Sequence, residues 1–209
     1  MAIKPILFNT EMVRAILDGR KTCTRRAVKT RRKDACGFYV TKRPDGSFTG
    51  VYEYDEDERM FENQLIQYKP GDILYVRETW CGLPVNEAGH FRGHPIYYYK
   101  ADGDLRPEGW RGAWRPSIHM PKKAARIWLK VTDVRVERLQ DIDGKGCLKE
   151  GIEEEPLKYV GDEFVKGMFH DLWDSTIKKS DLDRYGWDAN PYVWVIEFER
   201  CEKPEEERR

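Results

Sequence analysis

The sequence predicts an α+β protein built on a small, mostly antiparallel β-barrel, with helices packed outside it and long insertions. Strand-like segments dominate, and irregular segments separate them. Only two or three short helical patterns occur, and strands and helices do not alternate as they do in βαβ proteins. A length of 209 residues and an aromatic content of 12% are sufficient for a substantial core.

The first elements are predicted to be a strand, a helix and a second strand. Residues 6–8 are apolar, and Asn9 or Thr10 can cap the helix that follows. Gly19 is suited to the position just after the helix, where the backbone turns. Residues 22–27 then form the second strand. The apolar face of the helix consists of Met12, Val13, Ile16 and Leu17.

The rest of the chain is predicted to contain mostly strands. The polar stretch up to residue 69 has the turn signals of an insertion and can hold one hairpin, formed by residues 37–40 and 48–52. An amphipathic helix begins at Asp162. Further strands are predicted at 73–80, 96–100, 125–139 and 191–199, and a helical turn at 141–150. We therefore expect a single domain over residues 1–201, with insertions at about 27–70 and 81–124, and a charged tail at 202–209.

Composition excludes several classes of protein. The chain has 37 basic and 37 acidic residues and no apolar run of about 18 residues, so no membrane span is expected. Residues 1–5 lack the apolar region of a signal peptide. The five cysteines are odd in number and show no CxxC spacing, which predicts reduced thiols in the cytoplasm. No metal or other cofactor is predicted, and the oligomeric state is left open.

The most informative segment is residues 19–26, which read GRKTCTRR. Eight basic residues and no acidic one lie between Arg20 and Lys33, and this local positive charge favours an anionic partner. Thr24 can act as a nucleophile if another group takes its proton. Lys21 can do so if burial or neighbouring positive charge disfavours its ammonium form. The alternative is a solvated basic face in which Thr24 is an ordinary strand residue.

An acid–base reaction at this segment also requires a carboxylate from elsewhere in the chain. Glu78 and Glu150 are the two candidates, because each follows a predicted strand or turn. Lys21 and Thr24 are three residues apart and would point to opposite faces of a regular strand. Lys21 must therefore reach the site from the loop between the helix and the strand.

Residues 19–26 resemble the GxKxxExR signature of the ASCH domain, a relative of the PUA domain. Gly19, Lys21 and Arg26 fit the signature, while Thr24 replaces the usual glutamate. A bacterial branch of this family, the N(4)-acetylcytidine amidohydrolases, also has threonine there. In that branch the catalytic residues are a lysine, this threonine and a glutamate from a later helical turn, which the resemblance puts at Lys21, Thr24 and Glu150.

Other segments extend the resemblance over about half of the chain. Residues 71–76 and 192–198 resemble two ASCH strands, and residues 71–80 and 114–126 resemble longer ASCH proteins of phages and prophages. The resemblance implies a PUA-like barrel with a cleft for a base, on which Trp80, Trp114 or Tyr75 would stack. The predicted substrate-binding residues are Arg26, Arg77, Glu78, Trp80, Arg115, Ser117 and His119.

Three functions remain open at this point. The first is hydrolysis of the acyl amide of a modified cytidine, which Thr24 favours. The second is binding of RNA or a modified base without catalysis, and the third is ribonuclease activity; the long basic run favours these two. The expected partner is a nucleoside or RNA, and no membrane partner is expected.

Overall fold

The described part of the chain forms two compact units. The first consists of Met1–Lys21, Gly71–Lys130 and Glu199–Arg209, and the second of Thr22–Pro70 and Val131–Phe198. The computed structural model describes residues 2–44, 48–62, 68–83, 96–106, 112–153, 159 and 161–205.

Strands outnumber helices among the described residues, as the sequence predicts. The strands are β1 (Ile3–Leu7), β2 (Cys23–Ala27), β3 (Gly37–Lys42), β4 (Phe48–Tyr54), β5 (Met60–Glu62), β6 (Ile73–Arg77), β7 (Trp80–Leu83), β8 (Ile96–Tyr99), β9 (Trp128–Arg138) and β10 (Tyr192–Cys201). The α-helices are α1 (Thr10–Leu17), α2 (Gly144–Lys149), α3 (Asp162–Thr176) and α4 (Leu182–Tyr185). The protein is therefore α+β with mostly antiparallel sheets.

The first unit contains a sheet in the order β1-β6-β9 and a separate β7–β8 hairpin. β1 is parallel to β6, and β6 is antiparallel to the first residues of β9. The hairpin is antiparallel and places Trp80 opposite Tyr99. Its aromatic residues join a buried core whose members are Ile73, Trp80, Met120, Ala124, Ala125 and Trp128.

The second unit contains the strand order β9-β10-β2 and a meander in the order β3-β4-β5. β2 is antiparallel to β10, with Thr24 opposite Ile196. Helices α2 and α3 pack against each other and supply much of the core. The buried members of that core are Cys23, Leu139, Ile142, Cys147, Val165, Phe169, Trp173, Val193 and Val195.

The ends of α1 confirm two predictions. The Asn9 side chain accepts a hydrogen bond from the Met12 N–H at 2.9 Å, so Asn9 and not Thr10 caps the helix. Gly19 follows the C-cap residue Asp18 with a φ of +78°, a backbone conformation that glycine adopts without a steric penalty. The chain turns there and enters the 19–26 segment.

Several predicted bounds require correction. The predicted strand 73–80 is two strands, β6 and β7, because β6 pairs with β1 and β9 whereas β7 pairs with β8. The hairpin within the first insertion is confirmed, but it continues into a third strand, β5, that the polar sequence did not indicate. The predicted insertion at 81–124 and the charged tail lie partly outside the described residues.

The strand order is open in each unit. β1 stands at one end of the strand order in the first unit, and β2 stands at one end of the order in the second. The residues that the structure describes therefore contain no closed barrel. No described helix combines the length and the apolar character needed to cross a membrane.

Candidate functional site

Backbone hydrogen bonds fix Thr22, the residue just before β2, on both sides. In the second unit, the Thr22 N–H donates to the Lys149 carbonyl at 2.9 Å, and the Phe198 N–H donates to the Thr22 carbonyl at 2.9 Å. The start of β2 therefore lies between the C-terminal end of α2 and strand β10. This contact brings Glu150, the residue after Lys149, beside the strand that carries Thr24.

Thr24 and Glu150 are both buried polar residues of the second unit, with exposures of 1% and 4%. Glu150 occupies the C-cap position of α2, a short helix that begins at its N-cap Asp143. A carboxylate is costly to bury unless it is paired, and Arg25 is its partner. The Arg25 Nη1 donates to Glu150 Oε1 at 3.1 Å.

Arg25 points away from Thr24, because the two are neighbours on a strand. Its Nη2 donates to Glu137 Oε2 at 3.4 Å, so one guanidinium connects two carboxylates. The ring centroid of Phe169 lies 6.0 Å from its central carbon. The sequence analysis did not select Arg25 or Glu137, and a basic residue within a basic run carries no signal of such a pairing.

Arg26 follows Arg25 on β2 of the second unit. It is exposed, and desolvation by the neighbouring protein lowers the pKa of its guanidinium, while the Glu150 carboxylate opposes that fall. Tyr68 is buried, and burial raises the pKa of its phenol. Sequence reasoning missed Tyr68, which stands in the polar insertion.

Lys21 is the last residue of the first unit and is 3% exposed. Its N–H donates to the Ala15 carbonyl at 2.9 Å, and its Nζ lies 5.7 Å from the Phe8 ring centroid. Lys21 is in the loop before β2, as the sequence predicts. Because Thr24 and Glu150 belong to the second unit, the convergence of the three side chains stays a prediction.

Glu78, the other candidate carboxylate, belongs to the first unit and is fully buried. Arg126 donates two hydrogen bonds to its carboxylate, from Nε to Oε1 at 2.9 Å and from Nη2 to Oε2 at 3.0 Å. Burial raises the pKa of Glu78, although the Arg126 charge opposes that rise. Arg126 also pairs with Asp102 at 2.6 Å and lies 4.0 Å from the Tyr99 ring centroid.

The remaining predicted substrate-binding residues all lie in the first unit. Trp80 and Arg115 exchange two backbone hydrogen bonds, at 3.1 Å and 2.7 Å, and the Arg115 guanidinium lies 5.4 Å from the Trp80 ring. Arg77 donates to the carbonyl of Ile118, between Ser117 and His119. Trp80 is only 6% exposed, so a base could stack on it only after Arg115 or a neighbouring segment moved.

The basic run from Arg20 to Lys33 is less positive at the surface than its composition suggests. Lys21 and Arg25 are buried. Arg20 pairs with Asp18 at 3.2 Å, and Arg32 pairs with Asp34 at 2.5 Å. The exposed members of the run are Arg20, Arg26, Lys29, Arg31 and Lys33. At least half of the predicted positive patch is thus buried or paired, which reduces the electrostatic case for a polyanion.

Within the described ranges, no group of three or more His, Cys, Asp and Glu residues is arranged to hold a metal ion. In comparisons with known proteins, no family model, curated protein or solved structure matches this chain.

Proposed function

We propose that the chain is an ASCH-domain protein that hydrolyses the acyl amide of a modified cytidine, with Lys21, Thr24 and Glu150 as its catalytic residues. The observation that carries the proposal is the hydrogen bond from the Thr22 N–H to the Lys149 carbonyl, which holds the end of α2, and with it Glu150, against the start of β2. Glu150, the glutamate that the motif resemblance selects, is held beside the strand of Thr24. Glu78, the competing carboxylate, is held by Arg126 in the other unit.

In the proposed reaction, Thr24 Oγ attacks the carbonyl carbon of the acyl amide while the Lys21 amine takes its proton. The C–N bond then breaks, and Glu150 relays the proton that Lys21 took up to the departing amino group of the cytosine. This leaves an ester on Thr24. Water hydrolyses the ester, which releases the carboxylic acid and restores the hydroxyl group. Arg26, which is exposed, is suited to hold a carbonyl oxygen of the substrate.

The same proposal includes the finer features of the fold and the partner. The open sheets are proposed to be parts of a PUA-like barrel, and the ligand a nucleoside or an RNA that contains the modified base. The remaining predicted substrate-binding residues of the first unit are proposed to hold the rest of the ligand. All five cysteines are free thiols, which supports a cytoplasmic location.

The decisive experiment is incubation of the purified protein with N(4)-acetylcytidine and a panel of other N(4)-acylated cytidines. We expect release of cytidine and the free acid, measured by liquid chromatography. Lys21→Ala, Thr24→Ala and Glu150→Ala should each abolish release. Thr49→Ala is the matched control, because Thr49 is an exposed strand threonine of the same unit that bonds to Thr41 at 2.8 Å. No release by folded wild-type protein across the panel would overturn the proposal.

A second candidate function is binding of a modified base in RNA without turnover. The exposed cations Lys29, Arg31 and Lys33 favour it, because a free nucleoside has no phosphate for them to neutralise. Filter binding of single-stranded and structured RNA tests this function. Tight binding of RNA together with no release of acid would select it over hydrolysis.

A further inference from the structure

Arg25 has an unusual set of contacts for a residue of a basic run. Its side chain is 3% exposed, and that of Glu150 is 5% exposed. Nη1 donates to Glu150 and Nη2 to Glu137, whereas the buried Nε has no hydrogen-bond partner among the described residues. All of its described side-chain hydrogen bonds therefore go to two carboxylates.

Packing further restricts the position of the Arg25 guanidinium. Phe169 covers one side at 6.0 Å. Helix α2 approaches closely at Gly146, where an added Cβ would lie 3.4 Å from Arg25 Nη2 and 2.9 Å from Ile142 Cγ1. A guanidinium confined in this way has few alternative rotamers, and so it restricts the Glu150 oxygen to which it donates.

Glu137, the second carboxylate, is held in turn by another arginine. Arg135 Nε donates to Glu137 Oε1 at 2.5 Å, and its Nη1 donates to Glu197 Oε1 at 2.8 Å. Lys149 Nζ also donates to Glu197 Oε1 at 3.3 Å. Glu137 thus accepts from two arginines, through Oε2 from Arg25 and through Oε1 from Arg135.

We propose that Arg25 is a positioning residue, which sets the orientation of the Glu150 carboxylate for proton transfer. This inference rests on the proposed function, since it assigns a reaction to Glu150. Arg25 acts through Glu150 and is too buried to contact a substrate. A lysine at position 25 would keep the positive charge but could not hold both carboxylates in a fixed geometry.

The test compares Arg25→Lys with Arg135→Lys, a substitution of the same kind that contacts Glu137 and not Glu150. For Arg25→Lys we expect kcat on acylated cytidine to fall about 10- to 100-fold, with KM changed less than about twofold. For Arg135→Lys we expect kcat within about twofold of wild type. An equal fall in both variants, or no fall in Arg25→Lys, would overturn the inference.

A second comparison asks whether Arg25 acts through Glu150. In a Glu150→Gln background, Arg25→Lys should cause no further loss of the residual kcat, because the group that it positions is already absent. A further loss would overturn the inference. Arg25→Gln, which keeps a hydrogen-bond donor, provides another variant if Arg25→Lys folds poorly, and circular dichroism confirms folding at the assay temperature.

The failure of this inference can be distinguished from failure of the proposed function. If wild-type protein releases no acid, both the function and the role of Arg25 are wrong. If wild-type protein is active and Arg25→Lys is equally active, only the role of Arg25 is wrong.

Discussion

Arg25 and Glu150 form a buried ion pair, with 3.1 Å between Nη1 and Oε1, although 125 positions separate them in the chain. The pair joins β2 to the end of α2. It therefore connects the segment that resembles the ASCH signature to the glutamate that the same resemblance selects. No property of the local sequence around either residue predicts the contact.

The Arg25–Glu150 pair should be coupled in stability as well as in catalysis. Arg25→Met or Glu150→Gln alone should destabilise the protein by up to about 3–5 kcal/mol, because each leaves a buried charge without this partner. The double variant should lose less than the sum, with a coupling of about 0.5–3 kcal/mol. Urea unfolding followed by circular dichroism gives the four values. Strict additivity would mean that the pair does not form in solution.

Loss of Arg126 should make stability strongly dependent on pH. Burial raises the pKa of Glu78 against the opposing charge of Arg126. The folded state then binds the Glu78 proton more tightly than the unfolded chain. The contribution of this group to stability is therefore largest below the unfolded pKa of about 4.3 and falls as the pH rises through the folded value.

In Arg126→Met the pKa of Glu78 should rise further, since the opposing charge is gone. The deficit in unfolding free energy relative to wild type should be at most about 3–5 kcal/mol near neutral pH, the range for a buried pair, since Arg126 is partly exposed. It should shrink below about pH 4.3, where Glu78 is protonated in both states. Thermal unfolding across the pH range measures it. A deficit that does not change with pH would contradict the prediction, and Arg138→Met, which removes an exposed arginine, is the control.

The cysteines should differ sharply in reactivity. Cys36 is exposed, whereas Cys147 is fully buried and burial raises the pKa of its thiol to about 12. Because the thiolate is the reactive form, a maleimide should label Cys36 within the folded protein and leave Cys147 unmodified. Mass spectrometry of peptides after brief labelling measures both sites. Labelling of Cys147 at the rate of Cys36 would show that α2 opens readily.

Salt should distinguish a nucleoside ligand from an RNA ligand. Turnover of a free acylated cytidine should change little over a tenfold range of salt, because no phosphate is neutralised. If the basic run binds single-stranded RNA, its five exposed cations allow a slope of log K against log salt no steeper than about −3.5, at about −0.7 for each.

The double variant Lys29→Ala, Lys33→Ala tests whether the basic run contacts RNA. The double variant should reduce the RNA slope by about 1.4, or about 0.7 for each lysine. It should leave nucleoside turnover unchanged. An RNA slope that the double variant does not alter would place the RNA contacts elsewhere on the protein.

Part of the fold could be predicted from short-range patterns. The Asn9 cap, the turn at Gly19 and the β3–β4 hairpin are confirmed, because each depends on residues only a few positions apart. The break between β6 and β7 was missed. It arises because the two strands have different partners, and an apolar run carries no information about pairing.

Short-range patterns in the chain specify the local elements and the motif that contains Lys21, Thr24 and Arg26, since helix caps, turns and strand periodicity act over a few residues. Long-range packing decides which carboxylate each of two arginines holds: Glu150 for the buried Arg25, and Glu78 for the partly exposed Arg126. The physical reason is that a buried charge must be paired, but its partner depends on strand register and helix packing over long separations.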